Sequence, residues 1–216
     1  RPLDLGRTHA QQHQELILTD VLHLLSCHRL SPAYAPAHAV GDASAVRAHP
    51  LQWIDFAEGV VEIGHDGAGF AFDNETPRHR QFLDAYSLAS GAVTNAEYLT
   101  FIEDGAYRRP ELWLSEGWDW MTSNAIDGPL YWRREPGGWH EFGLHGLQSL
   151  SLTAPVCHVS LYEADAYARW AGARLPSAAD WEVAARGYAV AGNFIESGSL
   201  APPPADIAGG PRRPLF

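Results

Sequence analysis

The chain has 216 residues, 46% of them hydrophobic, which is enough for one large domain or one and a half ordinary ones. A net charge of −11 argues against a broad nucleic-acid surface, and all 15 basic residues are arginines, which excludes a lysine Schiff base within this chain. Two cysteines exclude a disulfide framework, and no apolar run approaches the ~18 residues of a membrane span, so we expect a cytoplasmic protein without membrane partners.

The N-terminal segment predicts a helix with two candidate metal ligands. Residues 4–30 place apolar side chains at helical spacing, with Asp4 as a candidate N-cap. His9 and His13 are four residues apart, so both imidazoles lie on one face of the helix and can share a transition metal. His23 is on the same stripe but lies roughly 15 Å beyond His13, which excludes it as a third ligand.

Two polar neighbours of the histidines differ in their position around the predicted helix. Gln12 lies beside the histidine stripe, where it can orient a substrate ring without competing for metal. Glu15 lies about 200° from His13, so it cannot bind the same metal on a regular helix. We expect Glu15 to cap, bridge or support the ligands by hydrogen bonding. Taken alone, such a pair is weak evidence for metal binding, because two solvated or core histidines account for this spacing more often.

The next hundred residues predict a linker and then short elements. Residues 31–50 are rich in alanine, proline and glycine, which is typical of a linker. Strands are expected at 60–64 and 82–88, each bounded by turns. Residues 94–102 predict a helix, because Thr94 and Glu97 form a capping-box pattern. Little regular structure is expected at 105–150.

The tryptophan-rich stretch 113–139 is long and irregular enough to cover a site from water. We expect it to help enclose a metal site between the first helix and the rest of the chain, because a reactive metal site needs shielding from water. The alternative for each tryptophan is that it fills the core.

Two further helices are predicted near the end of the chain. Ser160 with Glu163 starts one that runs to residue 170, and Ser177 with Asp180 starts another that runs to residue 186. Glycines at 172 and 187 stop them. Three aromatic residues of these helices are expected in the core: Tyr167, Trp170 and Trp181. The missing Met before Arg1 and the loop-like final residues indicate an internal piece of a longer protein.

Two segments carry a family resemblance. Residues 154–187 read APVCHVSLYEADAYARWAGARLPSAADWEVAARG, and residues 93–98 read VTNAEY. Both closely resemble the formylglycine-generating-enzyme (sulfatase-modifying) superfamily. The resemblance implies a variant of the C-type-lectin fold, poor in regular structure, for residues 53–216.

The helix with the His-x-x-x-His-x-Glu pattern, placed before this module, narrows the resemblance. The combination resembles the EgtB-type ergothioneine-biosynthesis non-haem iron(II) sulfoxide synthases, where the helix belongs to a DinB-like four-helix bundle. Further matches are QQHQEL at 11–16, EIGH at 62–65, FDNE at 72–75 and RPELWL at 109–114. The implied fold is α+β. The end of a DinB-like bundle (1–34) and a linker (35–52) precede a C-type-lectin-like module (53–216) that is incomplete at its C-terminus.

The resemblance implies roles residue by residue. His9 and His13 match two of the three iron-binding histidines, and Gln12 matches a glutamine that borders the imidazole substrate. The third histidine is expected upstream of Arg1, and the catalytic tyrosine beyond Phe216. Three neutral imidazoles leave about three open positions on octahedral iron(II), enough for a thiolate, dioxygen and water.

The implied activity is an oxygen-dependent joining of the imidazole of hercynine to a cysteine-type thiol, γ-glutamylcysteine or cysteine, with oxidation to the sulfoxide. Fe(II) is the implied cofactor and O2 the co-substrate. Three alternatives remain open. One is a synthase that uses histidine or a selenium donor, as in the ovothiol and selenoneine branches. Another is a lectin-like binding module without activity, which the intact histidine pair argues against. The third is a copper-dependent formylglycine-generating oxidase, which needs a downstream cysteine pair and not the first helix.

Overall fold

The computed structural model describes residues 2–36, 51–67 and 69–202, and these ranges form one long helix and a module of short elements. The long helix is α1 (Pro2–Ser26). The strands are β1 (Trp53–Phe56), β2 (Gly59–Ile63), β3 (His79–Leu83), β4 (Tyr86–Ala89), β5 (Trp132–Glu135), β6 (Gly138–Gly143) and β7 (Gly146–Ser149). The module's α-helices are α2 (Asn95–Glu103), α3 (Ser115–Ser123), α4 (Leu161–Trp170) and α5 (Ala178–Ala185). Among the described helices, none is long and apolar enough to cross a membrane.

Helix α1 forms as predicted but ends at Ser26, four residues early. The chain leaves the helix because the Ser26 hydroxyl donates to the His23 carbonyl at 2.7 Å and the following residues form turns. Its last turns are anchored by Leu22, which packs with the module residues Tyr131, Phe142 and Leu144. The first half of α1 is exposed. A DinB-like bundle around α1 stays a prediction, since the described residues include no further helix of such a bundle.

Within the described residues the strands pair with antiparallel neighbours, in three small sheets. The strand predicted at 60–64 is confirmed as β2, which pairs with β3. The single strand predicted at 82–88 is wrong, because this stretch belongs to two strands in two sheets. Strand β3 ends where Leu83 pairs with Gly59, and β4 then pairs with β1 from Tyr86 opposite Phe56. Strand β1 was not predicted.

The expectation of little regular structure at 105–150 is also wrong. This stretch holds α3 and the sheet β5-β6-β7. Strands of four to six residues are too short for a clear alternating pattern, and tight connections let them pair. Pro136 and Gly137 join β5 to β6, and Gly137 has a φ of 108°, which a side chain would strain. Arg134 then lies over the Trp139 ring at 4.2 Å across the hairpin.

The helix starts predicted from capping residues agree well with the structure. Both predicted capping boxes are confirmed, at the starts of α2 and α4, and the Ser177–Asp180 pair predicted to start α5 also forms one. In each, a hydroxyl accepts from a backbone N–H three residues on, as Ser160 does from Glu163 at 3.2 Å. Gly172 and Gly187 follow α4 and α5 with positive φ, as expected for helix stops. The mixed helix and strand content of the module confirms the α+β class.

The module's main core is aromatic and packs α2, α3 and α4 against β5. Its buried members are Tyr98, Phe101, Ile102, Ala106, Tyr107, Leu112, Trp113, Met121, Trp132 and Ala166. Tyr167 and Trp170 pack against this core as expected, but Trp181 is 51% exposed, so its predicted core position is wrong. Helix α5 buries Ala179 against β2 and β3 instead, and Trp181 lies about 200° around the helix from Ala179.

Candidate metal pair and adjacent cavity

The structure brings the two predicted metal ligands together on α1. The Nε2 atoms of His9 and His13 are 3.1 Å apart, and their ring centroids are 4.5 Å apart. Two imidazole nitrogens about 2.1 Å from one metal, at a right angle, lie about 3.0 Å apart. The observed spacing therefore fits two neighbouring ligands of one octahedral ion. Without metal, it fits a hydrogen bond in which one ring N–H donates to the other ring.

The pair offers two candidate ligands, and the described residues offer no third one beside it. No group of three or more His, Cys, Asp or Glu within them could hold a metal ion. His23 does not join the pair, because its Nδ1 lies 3.4 Å from the Tyr131 hydroxyl and its Nε2 lies 4.0 Å from Cys27 Sγ. The third histidine upstream of Arg1 stays a prediction.

Gln12 lies close to the histidine pair around α1, and Glu15 lies further around the helix on the same side. Gln12 is exposed on α1, beside the histidine stripe, as the helical spacing predicts. Glu15 lines a cavity between α1 and the module. No hydrogen bond among the described residues joins its carboxylate to His9 or His13, and its capping, bridging or supporting role stays a prediction. The helical offset of about 200° from His13 predicts that Glu15 does not bind the same metal.

The cavity has a volume of about 680 Å³ and lies where α1 meets β6, β7 and two loops of the module. From α1 it is lined by Glu15, Leu18, Thr19 and Leu22. From the module it is lined by residues of three segments, which are Glu141 to Ser151, Ala154 to His158, and Asn193 to Pro202. Cavities of this size are typical of sites for small molecules.

Burial changes the acid–base properties of three cavity residues. It raises the pKa of Glu141, and it raises the pKa of Cys157, with a smaller contribution from the Glu141 charge. It lowers the pKa of His158, which favours the neutral ring. His158 also has a φ of 59° and packs edge-on against Tyr131 at 4.7 Å. A non-glycine residue in this conformation costs free energy and is common at functional sites.

The histidine pair and the cavity lie on opposite sides of α1. The α1 residues that line the cavity are about 180–280° from His9 around the helix, whereas His13 is about 40° from it. In the described residues the pair is therefore not enclosed between α1 and the module. The tryptophan-rich stretch 113–139, predicted to cover the metal site, does not cover the histidine pair in the described residues. Trp113 and Trp132 are buried in the core, and no tryptophan lines the cavity.

Sequence reasoning missed the cavity residues Glu141, Cys157 and His158. Cys157 and His158 stand in the quoted motif just before the α4 capping box, which was a usable signal. Glu141 had no such signal in the sequence, because its strand β6 was not predicted.

Comparison with known proteins assigns the family. Residues 44–209 match the family model for the sulfatase-modifying factor enzyme 1-like domain. The hercynine oxygenase of Mycobacterium tuberculosis is 33% identical over 177 residues, covering 82% of this chain and 40% of that protein. That of Mycolicibacterium thermoresistibile is 39% identical over 115 residues, covering 53% of this chain and 25% of that protein. The formylglycine-generating enzyme of Streptomyces coelicolor is 34% identical over 148 residues, covering 63% of this chain and 47% of that protein.

The chain spans less than half the length of each of these curated relatives. The family model, by contrast, matches well over half of the chain, and it includes the two segments that carry the resemblance, 93–98 and 154–187. The chain therefore belongs to the family of sulfatase-modifying factor enzyme 1-like domains, and it is similar to hercynine oxygenases of the EgtB type.

Proposed function

We propose that this chain is part of an oxygen-dependent, EgtB-type iron(II) sulfoxide synthase of ergothioneine biosynthesis. Its substrates would be hercynine and a cysteine-type thiol, γ-glutamylcysteine or cysteine. The observation that carries the proposal is the 3.1 Å separation of the His9 and His13 nitrogens, in a chain similar to hercynine oxygenases. The imidazole ligands fit iron(II), and the similarity to oxygenases supports chemistry with O2.

In this proposal α1 has two tasks. His9 and His13 hold the metal through neutral imidazole nitrogens, each of which offers one lone pair. Gln12, beside the stripe, orients the substrate imidazole through its amide, which both donates and accepts hydrogen bonds. When bound, iron(II) supplies the redox chemistry that dioxygen requires. A third histidine upstream of Arg1, a tyrosine beyond Phe216 and a DinB-like bundle are parts of the same proposal, which places the intact protein in the cytoplasm.

The test is product analysis of the intact protein. Iron(II), O2 and hercynine are supplied with γ-glutamylcysteine or cysteine, and the sulfoxide is measured by mass spectrometry. We expect product with one of the thiols, and its loss in His13→Ala. The matched control is His28→Ala, which removes an exposed histidine outside the stripe, in the turn after α1. Unchanged turnover in His13→Ala contradicts the proposal.

A second candidate is a formylglycine-generating oxidase, favoured by the similarity to the Streptomyces coelicolor enzyme. The same preparation, loaded with copper, is then given a cysteine-containing peptide and analysed for formylglycine. Aldehyde formation without any sulfoxide from hercynine would favour this candidate, and His13→Ala would leave that activity intact.

A further inference from the structure

The cavity between α1 and the module has no role in the proposed metal site, because the histidine pair lies on the other side of α1. Its volume of about 680 Å³ exceeds what one or two water molecules need and falls in the range of small-molecule sites. Leu18 and Leu22 from α1, with Leu144 and Phe194 from the module, give it apolar walls. An organic ligand therefore fits the cavity better than a hydrated metal ion.

The charged groups of the lining are acidic. Glu15 contributes a carboxylate from α1, and Glu141 contributes one from β6. Among the described lining residues there is no arginine or lysine. Burial lowers the pKa of His158, which disfavours its charged form. Both ring nitrogens of His145 lie near backbone carbonyls, of Ala35 at 3.3 Å and Ser199 at 3.2 Å, so this ring already has partners.

Glu141 is the acidic group with the clearest need for a partner. It is partly buried, and within the described residues its carboxylate has no hydrogen bond and no ion pair. The two arginines of the neighbouring strand β5 have other partners. Arg133 donates to the Ser31 hydroxyl and to the Ser26 carbonyl, and Arg134 lies over Trp139. An unpaired carboxylate loses hydration on burial, and a cation placed against it would recover that free energy.

We propose that this cavity binds an organic ammonium ligand, with its cationic nitrogen at Glu141 and its apolar body against Leu18, Leu22 and Leu144. The ammonium N–H groups donate to the Glu141 carboxylate, and Glu15 adds negative charge from α1. Polar groups of the same wall, among them Ser149 and Ser151, supply further acceptors. Such a ligand contacts both α1 and the module without touching the histidine pair, so the site is independent of the proposed metal chemistry.

The test compares two probes of nearly equal shape, 2-phenylethylamine and the neutral 2-phenylethanol, titrated calorimetrically into the full chain. The amine should bind at least about tenfold more tightly than the alcohol, as expected for a hydrogen bond to a charged group. Glu141→Gln keeps the shape of the side chain and should abolish this preference. Glu15→Gln should reduce it. Glu135→Gln, an exposed position on the adjacent strand β5, should leave it unchanged.

Three results overturn the proposal: the two probes bind equally, neither binds, or Glu141→Gln retains the preference for the amine. Circular dichroism of each variant confirms that the fold persists. Failure of this test leaves the sulfoxide synthase proposal untouched, because that proposal is read from product formation and from His13→Ala.

Discussion

Helix α1 and the module core differ in how deeply their side chains are buried. In the core, Phe101 is 0% exposed and Tyr98 1%, and each packs against several other rings. In α1, by contrast, Leu16 is 52% exposed and both candidate ligands lie on the open face, while Leu22 anchors only the last turns. The histidines gain nothing from packing in this structure, so their pairing reflects the four-residue spacing alone. The proposed chemistry therefore lies on the least packed element, whereas stability comes mainly from the most packed one.

The largest effect on stability should come from a substitution in the module core. Phe101→Ala removes a ring that is completely buried, so it should lower the free energy of unfolding by about 3–5 kcal/mol. Leu16→Ala, on the open face of α1, should change it by less than about 0.5 kcal/mol. Urea denaturation followed by circular dichroism measures both. Similar losses in the two variants would show that α1 is packed far more tightly than described.

The buried hydroxyl chain of the core should give the next largest effect. The Tyr107 hydroxyl donates to the Glu163 carboxylate at 2.7 Å and lies 3.0 Å from the Tyr98 hydroxyl. Tyr107→Phe leaves the buried Glu163 carboxylate without this donor and should cost about 1.5–3 kcal/mol. Tyr98→Phe is the matched control. It removes only the outer hydroxyl of the chain and should cost about 1 kcal/mol. The same urea titration separates them, and a reversed order would refute the assigned direction of the chain.

Glu141 lies at the boundary between α1 and the module. Its replacement should have a smaller, pH-dependent effect on stability, and this effect should be a gain. Burial raises the pKa of Glu141 in the folded state, so the folded protein holds this proton more tightly than the unfolded one. Stability is therefore lost as the pH rises above the ordinary glutamate pKa. Glu141→Gln removes this loss and should raise the melting temperature by about 1–3 °C at pH 8. The gain should shrink towards pH 4, and a variant less stable than the native protein at pH 8 contradicts the prediction.

The smallest effect on stability is expected at the histidine pair itself. His9→Ala and His13→Ala each remove an exposed ring, so the melting temperature without metal should stay within about 1 °C of that of the native protein. Calorimetry checks this. A marked loss in either variant would mean that the rings serve packing and not metal binding.

These two regions also show what the sequence could and could not predict. Capping boxes are local signals, so the starts of α2, α4 and α5 followed from Thr94, Ser160 and Ser177 alone. The histidine pair followed from helical geometry in the same way. The sheet β5-β6-β7 could not be predicted, because strands of four to six residues are stabilised by cross-strand partners such as Arg134 and Trp139.

The cavity could not be predicted either. It exists only because α1 docks on β6 and brings Glu15 towards a wall that also holds Glu141 and Cys157, which are more than 120 residues away in the chain. Tertiary contacts of this kind leave no periodic trace in the sequence. The resemblance to a family identified the module, but it did not place Glu15 on the cavity side of α1.

The central claim is that His9 and His13 bind one metal ion together. A crystal structure of the intact protein, loaded anaerobically with iron(II) and measured at the iron absorption edge, tests it directly. The account predicts one anomalous peak about 2.0–2.2 Å from the Nε2 atoms of both rings, with Glu15 away from it. A peak bound by only one of the two rings, by Glu15, or by neither histidine would contradict it.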